Sequence, residues 1–308
     1  MRVLPAALVL LLTIGGGCGG GDSNADSGDA SPDAAGTPDG ALPDSPAGCS
    51  RPQLDQPWVQ AYVQDAIATL AAHPRYLDTE KQPARAYLRD QLIALGYDAR
   101  LEDFTLGTTS GTNVVATLAA TTETADAIIV GAHFDTVPNS PGADDNASGT
   151  ALVLAVARYV KDVTCRKAAI TFVLFDSEEE GLFGSRAYAQ AHSPASFQAV
   201  HTFDQIGWNA DGDRNFELEL PTPTLQAEWQ AAAPLAGATI SITDSENTDH
   251  QAFRDLGYAA DSLSEEYRNG DTTPHYHMPT DVPADLDYAY LATAAKLCAQ
   301  VVMTELSQ

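Results

Sequence analysis

Basic residues are scarce in this chain of 308 residues, which has 16 lysines and arginines against 42 aspartates and glutamates and a formal net charge of −26. A nucleic-acid partner requires a basic surface, and adsorption to anionic lipid requires clustered lysine and arginine. The composition therefore argues against both kinds of partner. An acidic surface suits a secreted, soluble protein, and we expect a monomer.

Cysteine is also scarce, with four residues, none of which has the spacing of a zinc site. Cys49, Cys165 and Cys298 remain once Cys18 is assigned to the leader. Export permits one disulfide and leaves one thiol over. Cys49 opens the expected folded region, so a bond to Cys165 or to Cys298 would fix the start of the domain. The sequence does not choose between them.

The N-terminal apolar run, residues 4–14, is too short to span a bilayer as a lasting helix. It follows Arg2 and is typical of a secretory signal. The small residues before Cys18 resemble a bacterial lipoprotein signal, in which that cysteine is acylated. We therefore expect residues 1–18 to be a signal peptide. The protein would be lipid-anchored at Cys18 in the cell envelope, or periplasmic or extracellular if ordinary cleavage occurs instead.

Residues 19–48 consist almost entirely of glycine, serine, alanine, proline, aspartate and threonine, without lysine or arginine. Such a segment cannot bury a core, so we expect an acidic, disordered linker. Residues 49–308 are long enough for one large domain with an ample core, and we find no internal repeat.

The hydrophobic patterns of residues 49–308 alternate between helical and strand periods. Strands are predicted near 98–105, 112–119, 126–131, 169–175, 199–203, 215–220 and 258–264, and helices near 59–70, 84–95, 147–161 and 286–306. This order predicts an α/β fold with a mixed, mainly parallel central sheet flanked by helices.

Histidine and acidic residues follow several of the predicted strands. His133 and Asp135 come just after one buried strand, and Glu178 and Glu179 follow another. The two-residue spacing lets Asp135 accept the second ring N–H of His133 and fix its tautomer. Ligands of an open α/β sheet lie outside the carboxyl ends of its strands. Carboxylates and imidazoles from separate elements therefore predict a hydrolytic metal site, and their number suggests two metal ions.

Six ordered motifs carry a resemblance that spans roughly residues 55–305. They are Gly-Ala-His-Phe-Asp-Thr (131–136), Pro-Gly-Ala-Asp-Asp-Asn-Ala-Ser-Gly (141–149), Glu-Glu-Glu-Gly-Leu-Phe-Gly-Ser (178–185), Phe-Asp-Gln-Ile-Gly (203–207), Thr-Asp-His-Gln-Ala-Phe (248–253) and Tyr-His-Met-Pro-Thr-Asp (276–281). The chain resembles the di-zinc aminopeptidases, the leucyl-aminopeptidase-like exopeptidases secreted by bacteria. The resemblance implies a zinc-exopeptidase-like phosphorylase/hydrolase fold and hydrolysis of the N-terminal bond of peptide substrates.

The resemblance also assigns roles to individual residues. It implies two zinc ions, one held by His133 and Asp204, the other by Glu179 and His277, with Asp145 bridging both. Glu178 would be the general base, and Tyr276 would contact the reacting carbonyl oxygen. A cis peptide bond is implied between Asp145 and Asn146. Gln205 stands where the family often has methionine, which leaves the substrate pocket undefined.

Three alternatives remain open at this point. A glutaminyl-cyclase-like acyltransferase shares the scaffold but uses one zinc ion and usually lacks asparagine after the metal-loop aspartate. A carboxypeptidase would need a cation for the C-terminal carboxylate of its substrate. A non-catalytic binding module would have lost the base or a ligand. Asp145-Asn146 and the complete set of expected ligands favour the di-zinc aminopeptidase.

Overall fold

An eight-stranded sheet lies at the centre of the computed structural model, which describes residues 49–122 and 127–307. The expected signal peptide and linker lie outside the described residues. The strands are β1 (Asp98–Leu106), β2 (Thr109–Leu118), β3 (Ala127–His133), β4 (Ala169–Phe175), β5 (Ala199–Phe203), β6 (Asn215–Glu219), β7 (Thr239–Thr243) and β8 (Ala260–Ser264). The helices are α1 (Val59–Leu70), α2 (Asp78–Ala94), α3 (Gly149–Val160), α4 (Phe183–Ala191), α5 (Pro223–Ala236), α6 (His250–Arg254) and α7 (Tyr288–Glu305).

The strand order across the described sheet is β1-β2-β4-β3-β5-β8-β6-β7. Four neighbouring pairs are parallel, β3 with β4, β3 with β5, β5 with β8 and β6 with β7. The other three pairs are antiparallel. The predicted mixed, mainly parallel sheet is therefore confirmed, and β3 lies in its interior.

Both faces of the central strands are covered by helices, as expected for strands that read as unbroken apolar runs. In β3, Ile128 and Val130 pack into the larger core with residues of α1, α3 and α7. Ile129 points to the opposite face, where it joins a smaller core with Phe253 of α6. Successive side chains of one strand thus divide between two apolar layers.

The seven predicted strands correspond to β1–β6 and β8, and the four predicted helices to α1, α2, α3 and α7. The sequence patterns did not predict α4, α5, α6 or β7. The predicted helix near 147–161 begins only at Gly149, because residues Ala143–Ser148 form an irregular turn with non-helical dihedral angles at Asp145 and Asn146. That turn brings the metal-loop motif to the end of the sheet.

A disulfide joins Cys49 to Cys165, which decides the pairing that the sequence left open. Next to it, the Ser50 backbone N–H donates to Thr164 Oγ1 at 2.8 Å. Cys298 is a free thiol buried in α7. The start of the described domain is thus fixed covalently to the loop between α3 and β4.

Among the described helices, none combines the length and the apolar character that a membrane crossing needs.

Candidate metal centre

Three neighbouring parallel strands deliver predicted site residues to one edge of the sheet. His133 is the last residue of β3, and Asp204 directly follows β5. Glu178 and Glu179 come three and four residues after the end of β4. Because β4, β3 and β5 run parallel side by side, their carboxyl ends meet at this edge.

Two further predicted residues come from irregular segments. Asp145 lies in the turn before α3, and His277 lies in the segment between β8 and α7. The Asp145–Asn146 peptide bond is cis, as the resemblance predicted. The Asn146 side chain donates to the Phe203 carbonyl at 2.8 Å and accepts the Gly149 N–H at 2.8 Å, so it ties the turn to the end of β5.

Asp145 lies between the two histidines. Its Oδ1 is 3.3 Å from His133 Nε2, and its Oδ2 is 3.1 Å from His277 Nε2. Each histidine also has its own acidic neighbour, since Asp204 Oδ2 is 3.4 Å from His133 Nε2 and Glu179 Oε2 is 3.1 Å from His277 Nε2. The donor atoms therefore form two groups that share one carboxylate.

These residues fit metal ions on two observations. Both ring nitrogens of the buried His133 and Oε1 of Glu179 lack a hydrogen-bond partner, although buried polar atoms are almost always paired. Single donor atoms of His133, Asp145 and Glu179 also lie within 4.8 Å of one another. Imidazole nitrogen and carboxylate oxygen are the donors that zinc binds in hydrolytic sites.

The acidic residues of the centre have strongly shifted pKa values. Burial raises the pKa of Glu178 well above its usual range, with Asp204 and Asp249 adding to the rise and His133 opposing it. Burial and the Asp145 charge raise the pKa of Glu179 to about 7. Burial alone would raise the pKa of Asp145, but the neighbouring imidazoles of His133 and His277 lower it below its usual range.

The histidine pKa values are shifted upwards. Hydrogen bonds to Asp145 and Glu179 raise the pKa of His277 to about 10. Burial disfavours the His133 imidazolium, but Asp204 and Glu178 raise its pKa well above the usual value. The centre is thus a concentration of negative charge that draws in positive charge, and divalent cations would provide it.

Asp135 lies beside His133, but the hydrogen bond that the sequence predicted between them is not formed in this structure. The Asp135 Oδ1 is 3.5 Å from His133 Nδ1. The same carboxylate accepts the backbone N–H groups of Glu178 at 3.0 Å and Glu179 at 3.2 Å. One side chain therefore fixes the backbone of both predicted glutamates. Ser177, just before them, has a positive φ of 59°, which is uncommon for a non-glycine residue.

Two buried residues that support the centre were missed by sequence reasoning. Asp281 accepts the N–H of Asp144 at 2.8 Å and that of Asp145 at 3.1 Å. The Arg75 side chain donates to four backbone carbonyls, those of Leu70, Phe134, Pro141 and Gly142. Asp281 closes the sixth quoted motif and was given no role, whereas nothing near Arg75 in the sequence marks it.

An open pocket adjoins the centre. Tyr276 lies on its wall, half exposed, with its ring stacked on the His277 ring at 3.7 Å between centroids. The pocket lining also includes Gln205 and the buried Glu219. Glu178, Tyr276 and four of the five predicted metal-binding residues thus line one cavity, and His133 lies behind it beside Asp145 and Asp204.

Comparisons with known proteins agree with this arrangement. The sequence model of Peptidase family M28 matches residues 113–302. Aminopeptidase YwaD of Bacillus subtilis is 32% identical over 166 residues, which cover 51% of this chain and 36% of that protein. The chain thus spans well under two thirds of the length of this relative.

Two solved structures show the same fold. BSAP, a zinc aminopeptidase from Bacillus subtilis, has a TM-score of 0.76 at 16% identity and covers 82% of this chain and 96% of its own. The glutaminyl cyclase of Porphyromonas gingivalis has a TM-score of 0.67 at 20% identity and covers 79% of this chain and 96% of its own.

Proposed function

The chain belongs to peptidase family M28, and from this premise we propose that it is a metal-dependent aminopeptidase that removes residues from the N-terminus of peptides. The observation that carries the proposal is the position of Asp145, whose two carboxylate oxygens lie beside two different histidines. The likeness to an aminopeptidase of Bacillus subtilis supports the same activity.

The residues that would hold the metal are those of the two donor groups. His133, Asp204 and Oδ1 of Asp145 would bind one zinc ion, and His277, Glu179 and Oδ2 of Asp145 the other. When bound, two zinc ions lower the pKa of water and polarise a carbonyl group.

The protein's own side chains would complete the reaction. Glu178 would take the proton from the attacking water and give it to the leaving amine, as general base and then general acid. Asp135 would hold Glu178 in place through its backbone N–H. The Tyr276 hydroxyl would donate to the carbonyl oxygen of the scissile bond. The acidic surroundings favour the charged α-amine of a free N-terminus.

Hydrolysis of aminoacyl-7-amido-4-methylcoumarins tests the proposal. We expect release of the free amino acid, a loss of at least about 100-fold on chelation, and recovery on addition of Zn²⁺, because metal-assisted hydrolysis supplies several kcal/mol to the transition state. Metal analysis should give two zinc ions per chain. The same substrates with an acetylated α-amine should not be cleaved, and equal cleavage of blocked and free substrates would contradict an aminopeptidase.

The likeness in fold to a glutaminyl cyclase gives a second candidate reaction, and one further substrate separates the two. With a glutaminyl peptide, an aminopeptidase releases glutamine, whereas a cyclase leaves pyroglutamate on the peptide and releases ammonia. We expect glutamine. Pyroglutamate without any release of amino acids would favour the cyclase.

We also propose that the domain 49–308 is exported behind a signal peptide (1–18) and a linker (19–48), with a lipid anchor at Cys18. If Cys18 is acylated, the full chain expressed in a bacterium should partition into the detergent phase of Triton X-114. Cys18→Ser should move it to the aqueous phase. A wild-type protein that is exported yet stays wholly aqueous would exclude the anchor.

A further inference from the structure

The pocket beside the metal centre has an unusually polar wall. Apart from the residues of the predicted centre, its lining consists of Gln205, Glu219, Ser245, Asn247, Thr248, Ser264 and two tyrosines, Tyr267 and Tyr276. No aliphatic side chain occurs among the described residues that line it. A leucine side chain would find hydrocarbon contacts only on the tyrosine rings, so burial here would yield little of its usual stabilisation.

Glu219 is the buried acid of this wall. It is the last residue of β6 and is only 2% exposed. Its carboxylate accepts from Thr248 Oγ1 at 3.3 Å and from Ser264 Oγ at 3.5 Å. His250 Nδ1 lies 3.7 Å away, but burial lowers the pKa of His250 to about 4, so this imidazole is neutral.

Glu219 therefore lacks a cationic partner within the described part of the chain, where none of the ion pairs brings a lysine or an arginine to it. Burial raises the pKa of Glu219 to about 8, with the Asp204 charge adding to the rise. A buried acid is costly without a countercharge, and this one faces a cavity open to ligands. A cation that entered the pocket would favour the ionised form of Glu219 and pair with it.

The two tyrosines provide the rest of a site for a long basic side chain. Tyr267 is 39% exposed and Tyr276 is 43% exposed, and their ring centroids lie 6.3 Å apart at an interplanar angle of 64°. Lysine and arginine carry an aliphatic stem that packs on apolar surface, and their charged heads are attracted to aromatic faces. Ring walls and a carboxylate suit the two parts of such a side chain.

From this arrangement we propose that the pocket selects peptides with an N-terminal lysine or arginine, whose charged head pairs with Glu219. The inference rests on the proposed aminopeptidase function and specifies its substrate class. A charge-assisted hydrogen bond to a carboxylate is about twice as strong as a neutral one, and an uncharged side chain would leave Glu219 with only its hydroxyl contacts to Thr248 and Ser264.

The test compares lysyl, arginyl, norleucyl and leucyl coumarin amides as substrates. Norleucine matches the lysine stem without its charge. For the wild type, we expect kcat/KM to be at least tenfold higher for lysine and arginine than for norleucine. Glu219→Gln keeps the size of the side chain and the hydroxyl contacts. In this variant, the ratio of kcat/KM for the lysyl substrate to kcat/KM for the norleucyl substrate should fall by about 10–100-fold.

Glu246→Gln is the matched control. Glu246 is exposed in the loop after β7 and does not line the pocket, yet its substitution removes the same formal charge. In this variant, the ratio of kcat/KM for the lysyl substrate to kcat/KM for the norleucyl substrate should stay within about twofold of the wild-type ratio, since exposed charges are screened by salt. Thermal unfolding curves of both variants establish that they are folded.

The possible results separate this inference from the proposed function. Hydrolysis with no preference for lysine or arginine would overturn the inference and leave the aminopeptidase standing, and this result requires no variant. An equal loss on all four substrates in Glu219→Gln would also overturn it, because Glu219 would then bind the α-amine or support the fold. If none of the four substrates were cleaved with zinc present, the proposed function and the inference would fall together.

Discussion

Glu178→Gln is expected to lower kcat by at least about 10³-fold while the metal content stays unchanged. A general base that also acts as the acid typically contributes 10²–10⁴-fold, and glutamine cannot take up the proton. Glu178 Oε2 lies 3.9 Å from His133 Nε2, whereas the neighbouring Glu179 lies 3.1 Å from His277 Nε2. The closer carboxylate is the expected ligand. Steady-state kinetics and metal analysis on the same preparation measure both quantities.

Glu179→Gln is the matched comparison, since it makes the same chemical change one residue further along the chain. We expect it to lose metal as well as rate, because a neutral amide is a poorer zinc ligand than a carboxylate. Equal metal loss in the two variants would contradict the assignment of base and ligand.

Arg75→Met is expected to lower the free energy of unfolding by about 3–5 kcal/mol, the usual cost of breaking a buried charged network. Arg75 is 2% exposed and donates to four carbonyls, and the variant would remove all four hydrogen bonds. Burial lowers the pKa of Arg75 to about 10, so the guanidinium is charged at neutral pH. It would also cease to balance the nearby charges of Asp135, Asp281 and Asp145. For a domain of this size, Tm should fall by about 10 °C.

Two further variants make the Arg75 result specific. Arg75→Lys should recover only part of the stability, because lysine keeps the charge but lacks the planar fork of donors. Arg89→Met removes an arginine whose exposed pair with Asp90 should contribute no more than about 1 kcal/mol. If Arg75→Met were as stable as Arg89→Met, the hydrogen bonds from Arg75 to the carbonyls would not contribute to the stability of the fold.

The sequence alone predicts those site residues that come directly after buried strands. His133, Glu178 and Glu179 come directly after apolar runs, and the carboxyl ends of parallel strands meet at one edge. Asp145 and His277 lie in irregular segments, where no periodicity places a side chain. Only the resemblance to a known family assigned them.

The supporting residues could not be predicted, because their partners are backbone groups. Asp281 binds two N–H groups that lie more than 130 residues earlier in the chain. Arg75 donates to the carbonyl of Leu70, which is close to it in the chain, and to that of Phe134, which is 59 residues away. Neither contact requires a particular side chain at the partner position, so the sequence carries no signal of it.

The missed elements of the fold have weak patterns for similar reasons. β7 is an edge strand whose residues are all at least partly exposed, so it lacks the apolar run that marks β3 and β4. α5 contains Pro234 near its end, and proline argues against a helix interior. The burial of α5 against α7 outweighs that local preference.

The covalent link between Cys49 and Cys165 has a mechanical consequence. Cys165 precedes β4, whereas the metal centre lies past the other end of that strand, about 20 Å away for seven extended residues. Any chain upstream of Cys49 therefore joins the domain at the pole opposite the pocket. Tension applied through that chain would reach the domain partly across the sulfur bridge, in the loop before β4, at the end of the sheet away from the metal centre.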